Sequence, residues 1–243
     1  MQTAIQIRAV IPARNEARFI GAVVHQTRQH VSHVLVVNDG SLDATAAQST
    51  GAGAEVISHP TSFGKGESIK TGIRHALKDP AWTHLLLLDG DGQHDPQEIP
   101  QFLSAAQAGA LFVIGNRMHN PTGMPWLRRF VNRWVSWEIC TLCEQPIPDT
   151  QCGYRLVHRS LVPKLLCEST GFDYETEVLI LLAWAGITIT SVPVSSRYGV
   201  EKSKINPIPD TLRYWALMHR YRRLTRSGKH QLTEALSRSE RAA

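Results

Sequence analysis

Four consecutive leucines, Leu85 to Leu88, run straight into an acidic loop in the stretch LLLLDGDGQHDPQE. Apolar residues without polar alternation form a strand buried on both faces, the kind found at the centre of a parallel sheet. Such a sheet opens its ligand crevice at the carboxyl ends of its strands, so Asp89, Asp91, His94 and Asp95 stand where a site belongs. The first half of the chain repeats this grammar. A strand over Ile5 to Ile11, a helix over Glu16 to Gln29, the strand HVLVV, a short helix after Ser41, a strand over Ala54 to Ser58 and a helix over Gly66 to Lys78 precede the leucine run. Alternation at this spacing predicts an α/β fold with a Rossmann-like, largely parallel central sheet flanked by helices. Beyond Gln101 the spacing predicts a strand in ALFVIGNR, a helix through MPWLRRFVNRWVSWEICTLC, a short strand or turn in CGYRLVHRS, a helix closed by Gly186 and a final strand in ITITSVPV.

At 243 residues the chain is long enough for one substantial core. A formal net charge of +5 suits an anionic ligand or surface without singling out nucleic acid. Cys140 and Cys143 form one C-x2-C without a second pair at finger-like spacing, which speaks against a structural zinc site and for reduced, packed thiols. The amino terminus enters a strand without a signal-like segment, and the apolar stretch VLILLAWAGITITSVPV changes at Gly186 from leucine-rich to β-branched, as a helix followed by a strand does. No membrane span is expected.

Three strand ends carry polar or turn-forming residues: Pro12, Ala13, Asn15 and Glu16; Asn38, Asp39, Gly40 and Ser41; Asp89, Asp91 and Gln93. The sheet would bring them to one edge, where a nucleotide could meet Asp39 and the amides of helix amino termini. Capping of the next helix explains Ser41 and Asp43 as well, and competes for Asp39. Two carboxylates one glycine apart suit a hard divalent cation that joins protein to substrate phosphate, although turn formation also accounts for Asp-Gly. The GKG around Lys65 is not a P-loop, and no G-x-G-x-x-G follows the first strand.

Taken together, VIPARNE, VVNDGS, GKGESIKTG and LDGDGQHDP resemble the signature of inverting family 2 glycosyltransferases with the GT-A fold. PDTQCGYRL, GFDYETEVLI and SRYGVEKSKINP are similar to the branch that includes dolichyl-phosphate and other polyprenyl-phosphate sugar synthases. The resemblance implies a catalytic domain over 1–212 and a basic tail over 213–243. It places Pro12, Ala13, Asn15, Glu16, Asp39 and Lys65 around the nucleotide, and Asp89, Asp91 and Gln93 at Mg2+ or Mn2+ and the diphosphate. Arg117 would receive the acceptor phosphate, with Arg133 a second candidate, while Arg197 and Lys204, with Lys202, would close a loop over phosphate. Gln151, Cys152 and Gly153 would line the sugar pocket, with Cys152 equally explained by packing. Glu175 would act as base toward a hydroxyl or merely orient a phosphate acceptor. Gly90 and Gly92 depart from relatives that carry bulkier residues there, and the carboxy-terminal membrane helices of many bacterial relatives are not expected here.

The reaction so implied moves a sugar from a UDP- or GDP-linked donor to a polyprenyl monophosphate, at the cytoplasmic face of the inner membrane, with room for a membrane-anchoring partner and none for nucleic acid. The rivals are transfer to a hydroxyl of a soluble sugar or polysaccharide, and a basic nucleic-acid-binding or scaffold protein. Trp126, Phe130, Trp134 and Trp137 fall near one helical stripe bordered by Arg128, Arg129 and Arg133, which suits either an interfacial helix or packing on the core. Tyr214, Trp215, Tyr221 and the arginines around them repeat the mixture near the carboxyl end.

Overall fold

The computed structural model describes residues 5–195 and 207–227. Strands β1 (Ile7–Ala13), β2 (His33–Asn38), β3 (Glu55–Ser58), β4 (His84–Leu87), β5 (Phe112–Asn116), β6 (Arg155–His158) and β7 (Ile189–Pro193) form one sheet in the order β3-β2-β1-β4-β6-β5-β7. Six strands run parallel, while β6 lies antiparallel between β4 and β5. The helices are α1 (Ile20–Thr27), α2 (Thr45–Gly51), α3 (Lys65–Ala76), α4 (Ile99–Gln107), α5 (Trp126–Cys143), α6 (Asp173–Trp184) and α7 (Pro207–Ser227).

The leucine run supplies Leu85 to Leu87 of β4, which is buried along its whole length as expected of a central strand, and Leu88 follows it, also buried. With Val34 to Val37 of β2, Ala9 to Ile11 of β1 and Phe112 to Ile114 of β5, it forms a core closed from water on both faces. Contacts run from α2 to α1 and through the short turn at 96–98 to α4, and separately from α3 to α6 and on to α5 and α7. Right-handed crossovers produce this division: β1-α1-β2 steps one way across the sheet, and β3-α3-β4 returns over the opposite face. The strand order reverses between β1 and β4, which places a topological switch point, and hence a crevice, between Ala13 and Asp89.

Two expectations shift. α1 begins at Ile20 rather than Glu16, because the amides of residues 15–17 are drawn to the loop after β2 and to Thr45 at the start of α2. α7 crosses position 212 without a break, and Leu217, Met218 and Tyr221 are buried in the common core. Buried Glu177 accepts from the Tyr221 hydroxyl at 2.8 Å and pairs with Arg220, while Glu138 accepts from Tyr214 at 2.9 Å and Arg222 at 2.6 Å. As far as Leu224, α7 packs against the folded body. None of the described helices is long and apolar enough to cross a membrane.

Gly72 sets the distance of α3 from the sheet, since a Cβ there would lie 2.3 Å from Val10 Cγ1. Gly72→Ala gains about 1 kcal/mol of helix propensity and meets an overpacking cost of about 1–3 kcal/mol. Thermal unfolding is expected to show a lower Tm despite the better helix former, with partial recovery in the Val10→Ala, Gly72→Ala double variant. An unchanged Tm in the single variant would mean that the helix sits farther from β1.

Candidate active site

The carboxyl ends of β1, β2, β4, β5 and β7 and the amino end of β6 share one edge. On the β1 side, Asn15 takes a left-handed conformation at φ 52°. Its N–H donates to Ser41 Oγ and its side-chain oxygen accepts from the Leu42 N–H, both at 2.9 Å. The Glu16 N–H donates to Thr45 Oγ1 at 2.7 Å, and that of Ala17 to Asp43 at 3.1 Å. Ser41 thus joins two loops instead of capping α2, whereas Asp43 does accept from the Thr45 amide at the start of that helix. Pro12 and Ala13 form a floor against the acid loop: a Cβ on Gly90 would stand 3.0 Å from Ile20, 3.2 Å from Ala13 and 3.4 Å from the Pro12 carbonyl. The small residue that departs from the family pattern is thereby accounted for by close packing.

Asp39 is 4% exposed, and four donors meet its carboxylate. His59 Nδ1 and the Phe63 amide reach Oδ1 at 2.8 Å each, while the Ser62 hydroxyl and the Gly64 amide reach Oδ2 at 2.6 and 3.0 Å. Burial opposes its charge, but these hydrogen bonds outweigh burial and hold the carboxyl below its usual range. A carboxylate offers about four lone-pair positions, so the structure has Asp39 shaping the 59–64 loop, which delivers Lys65.

Lys65, the first residue of α3, reaches Asp89 Oδ1 at 2.6 Å and Glu175 Oε1 at 3.1 Å. Burial disfavours the ammonium, yet the two carboxylates raise its pKa above the ordinary lysine value. Asp89 shows the converse: burial works against the anion, and Lys65, with His94 Nε2 at 3.6 Å from Oδ2, holds the carboxyl far below its usual range. Asp91 lies beside Asp89, and its own burial together with that neighbouring charge raises its pKa. The Gln93 amide donates to Asp91 Oδ1 at 2.9 Å. Gly153 closes the group: a Cβ there would fall 2.8 Å from Glu175 Oε1, 2.9 Å from Asp89 Oδ2 and 3.1 Å from Lys65 Nζ.

Arg117, just past β5, is 7% exposed and grips Asp149 with two parallel bonds of 2.7 and 2.9 Å. Asn132 of α5 and the Gln151 amide add bonds to the same carboxylate at 3.2 Å each. The residue named for the acceptor phosphate therefore spends two donors on fixing the 149–151 segment, while Arg133 is exposed on α5. Cys152 is fully buried and its thiol is pushed up to about 12 by that burial, which makes it a packing residue. Arg155 went unnoticed in the sequence. At 1% exposure it donates to the carbonyls of Cys152 and Glu175 at 3.0 Å each and of Thr150 at 3.5 Å, pinning both the 150–152 segment and the first turn of α6. A cation inside a four-residue strand gives no sequence signal beyond its own improbability there. β7 ends on the active edge at Pro193; Arg197, Lys202 and Lys204, which follow it, lie outside the described residues.

The donor set suits a small hard cation. Asp89 and Asp91 supply carboxylate oxygens, and among the described residues no three His, Cys, Asp or Glu side chains form a closed ligand set. Mg2+ and Mn2+ are commonly held this way, by one or two carboxylates with the rest of the shell left to phosphate and water.

A family model described as glycosyl transferase family 2 matches residues 9–166. Glycosyltransferase AglJ of Haloferax volcanii is 30% identical over 215 residues, spanning 86% of this chain and 70% of that protein. Polyprenol monophosphomannose synthase of Mycolicibacterium smegmatis is 28% identical over 203 residues, spanning 76% and 75%. Among solved structures, glucosyl-3-phosphoglycerate synthase from Mycobacterium tuberculosis in complex with Mn2+, UDP-Glc and phosphoglyceric acid aligns with a TM-score of 0.69 at 19% identity, covering 90% of this chain and 80% of that one. That likeness is one of fold, and the fold is GT-A. The matched span runs from β1 through β6 and takes in the strand-end loops, Lys65, the two carboxylates and the Arg117–Asp149 pair; the chain belongs to glycosyl transferase family 2.

Proposed function

We propose that the chain transfers a sugar, with inversion, from a UDP- or GDP-linked donor to the phosphate of a polyprenyl monophosphate, working peripherally at the cytoplasmic face of the inner membrane. The supporting observation is the state of Glu175. Its Oε1 accepts from the Lys65 ammonium at 3.1 Å, so the carboxylate best placed to be a base is already engaged by a cation. A hydroxyl acceptor has to lose a proton in the reaction, whereas a phosphate monoester is largely anionic near neutral pH and needs placement instead. The similarity to the polyprenol monophosphomannose synthase of Mycolicibacterium smegmatis points the same way. Transfer to a sugar hydroxyl is the second reading, kept open by the position of Glu175 beside Asp89 and Gly153.

In this reading Asn15, Glu16 and the loop shaped by Asp39 surround the nucleotide, and Lys65 holds Asp89 in place near the diphosphate. Asp91, with Asp89 and Gln93, is the site of Mg2+ or Mn2+, which when bound supplies positive charge where the leaving diphosphate becomes more negative. Lys65 at the same time keeps Glu175 oriented toward the acceptor side. Arg117 and Asp149 fix the Gln151–Gly153 segment under the sugar, which limits the approach of the acceptor to one face. Arg197 and Lys204 are assigned to phosphate on the strength of the family resemblance.

Incubating the chain with a panel of nucleotide sugars, divalent metal and a polyprenyl phosphate should give sugar on the lipid, and none on the same lipid lacking its phosphate. Transfer to the phosphate-free lipid or to a soluble sugar would overturn the proposal. Asp91→Asn is expected to lower kcat by about a hundredfold or more with an unchanged Tm; wild-type turnover in that variant after chelation would remove the metal from the mechanism. Glu175→Gln separates the two acceptors. Loss of less than about tenfold fits phosphate, and a loss of about 10²–10⁴ fits removal of a general base.

A further inference from the structure

The first two turns of α5 are exposed on every side. Residues 126–131 are six consecutive exposed positions, with Trp126 at 79% and Phe130 at 65% exposure, and the helix first packs against the body at Asn132. The stripe is not a core face: α5 buries Asn132, Val135, Ser136, Ile139 and Leu142 instead. Trp137 on α5 and Leu212 and Trp215 on α7 extend the exposed apolar surface, with the Trp134 and Trp215 rings 5.8 Å apart across the two helices.

We infer that this projecting end of α5 docks into an anionic lipid leaflet and so holds the acceptor side of the active edge at the bilayer surface; the functional half of the inference rests on the polyprenyl-phosphate reading. Charge identifies the occupant. From Trp126 to Trp137 the charged residues are Arg128, Arg129 and Arg133, all exposed, and the first acid, Glu138, is buried against Tyr214 and Arg222. A protein partner would cover one face of a helix, whereas these two turns present apolar and basic side chains around their whole circumference. That arrangement suits the boundary between headgroups and acyl chains, where tryptophan rings lie at headgroup level and arginine stems run along apolar surface to reach phosphate. Six residues at 1.5 Å per residue give about 9 Å of helix exposed on all sides, enough for its tryptophan and phenylalanine side chains to enter the ~5–10 Å headgroup boundary in which interfacial helices lie. The projection is also tied to the site, since Asn132 at its base bonds to Asp149, the partner of Arg117.

Co-sedimentation of the full chain with phosphatidylcholine vesicles, with and without phosphatidylglycerol and without any polyprenyl phosphate, tests the surface apart from the chemistry. Binding is expected to need the anionic lipid, to weaken as salt rises, and to fall by about tenfold or more in the Trp126→Ser, Phe130→Ser double variant. That variant should keep the wild-type Tm and wild-type transfer to detergent-solubilised acceptor. Undiminished vesicle binding by the variant would overturn the inference. So would a wild-type chain that ignores anionic vesicles, or one that self-associates through this face in sedimentation velocity while the variant is monomeric and binds vesicles equally well. Lipid-dependent docking lost in the variant, in a protein that glycosylates no polyprenyl phosphate, would sustain the docking surface and defeat the acceptor assignment alone.

Discussion

The ammonium of Lys65 holds the active edge together. It sits between Asp89, which ends the central strand, and Glu175, in the first turn of α6, while itself opening α3. Three elements brought together from distant parts of the chain meet at one charge. At an effective dielectric of about 20, each contact carries on the order of 5 kcal/mol of gross attraction, set against the desolvation of all three groups. Breaking such a buried arrangement by removing one partner costs about 3–5 kcal/mol, because uncompensated charge is left behind. The neighbouring glycines follow from this. Gly153 has to lack a side chain to pass the trio, and Gly64, at φ +98°, turns the chain so that Lys65 can enter it.

The sheet divides its work on either side of this group. β1 to β4 form a continuous parallel unit whose loops are bonded to one another, Asn15 to Ser41 and Leu42, and Asp39 to the 59–64 loop. β6 then runs against its neighbours, so its amino end, not its carboxyl end, reaches the active edge. The reversal places Gln151, Cys152 and Gly153 opposite the acid loop, and Arg155 holds them there through backbone carbonyls.

Strong local patterns made the parallel half legible in sequence. Leu85 to Leu88 read as a strand buried on both faces, with Asp89 and Asp91 just past its carboxyl end, and β4 over His84–Leu87 matches that reading. β6 reads in sequence as a short strand or turn and not as a reversed strand, because four residues carry no signal of direction and pairing is decided by what lies beside them. The side-chain partners of Asp39 and Arg117 are not legible in sequence for a related reason. Each is a charged residue at a strand end, and whether its charge faces a ligand or another side chain depends on His59, Ser62 or Asp149, residues far along the chain. The stripe on α5 allowed two readings because periodicity identifies a face without saying what covers it; Asn132, Val135 and Ile139 turned out to be the covered one.

β5 and β6 are hydrogen-bonded neighbours, and everything from Arg117 to Tyr154 leaves the active edge and returns to it between them. That excursion includes α5 and the 149–153 segment, and Arg117 at its start is clamped to Asp149 near its end. It behaves as a cassette inserted into a finished sheet. Its exposed first turns can differ in length or surface without altering the register of any strand, whereas its last residues cannot: Gly153 is held against Lys65, Asp89 and Glu175, so the part that can vary and the part that is fixed lie on one continuous loop.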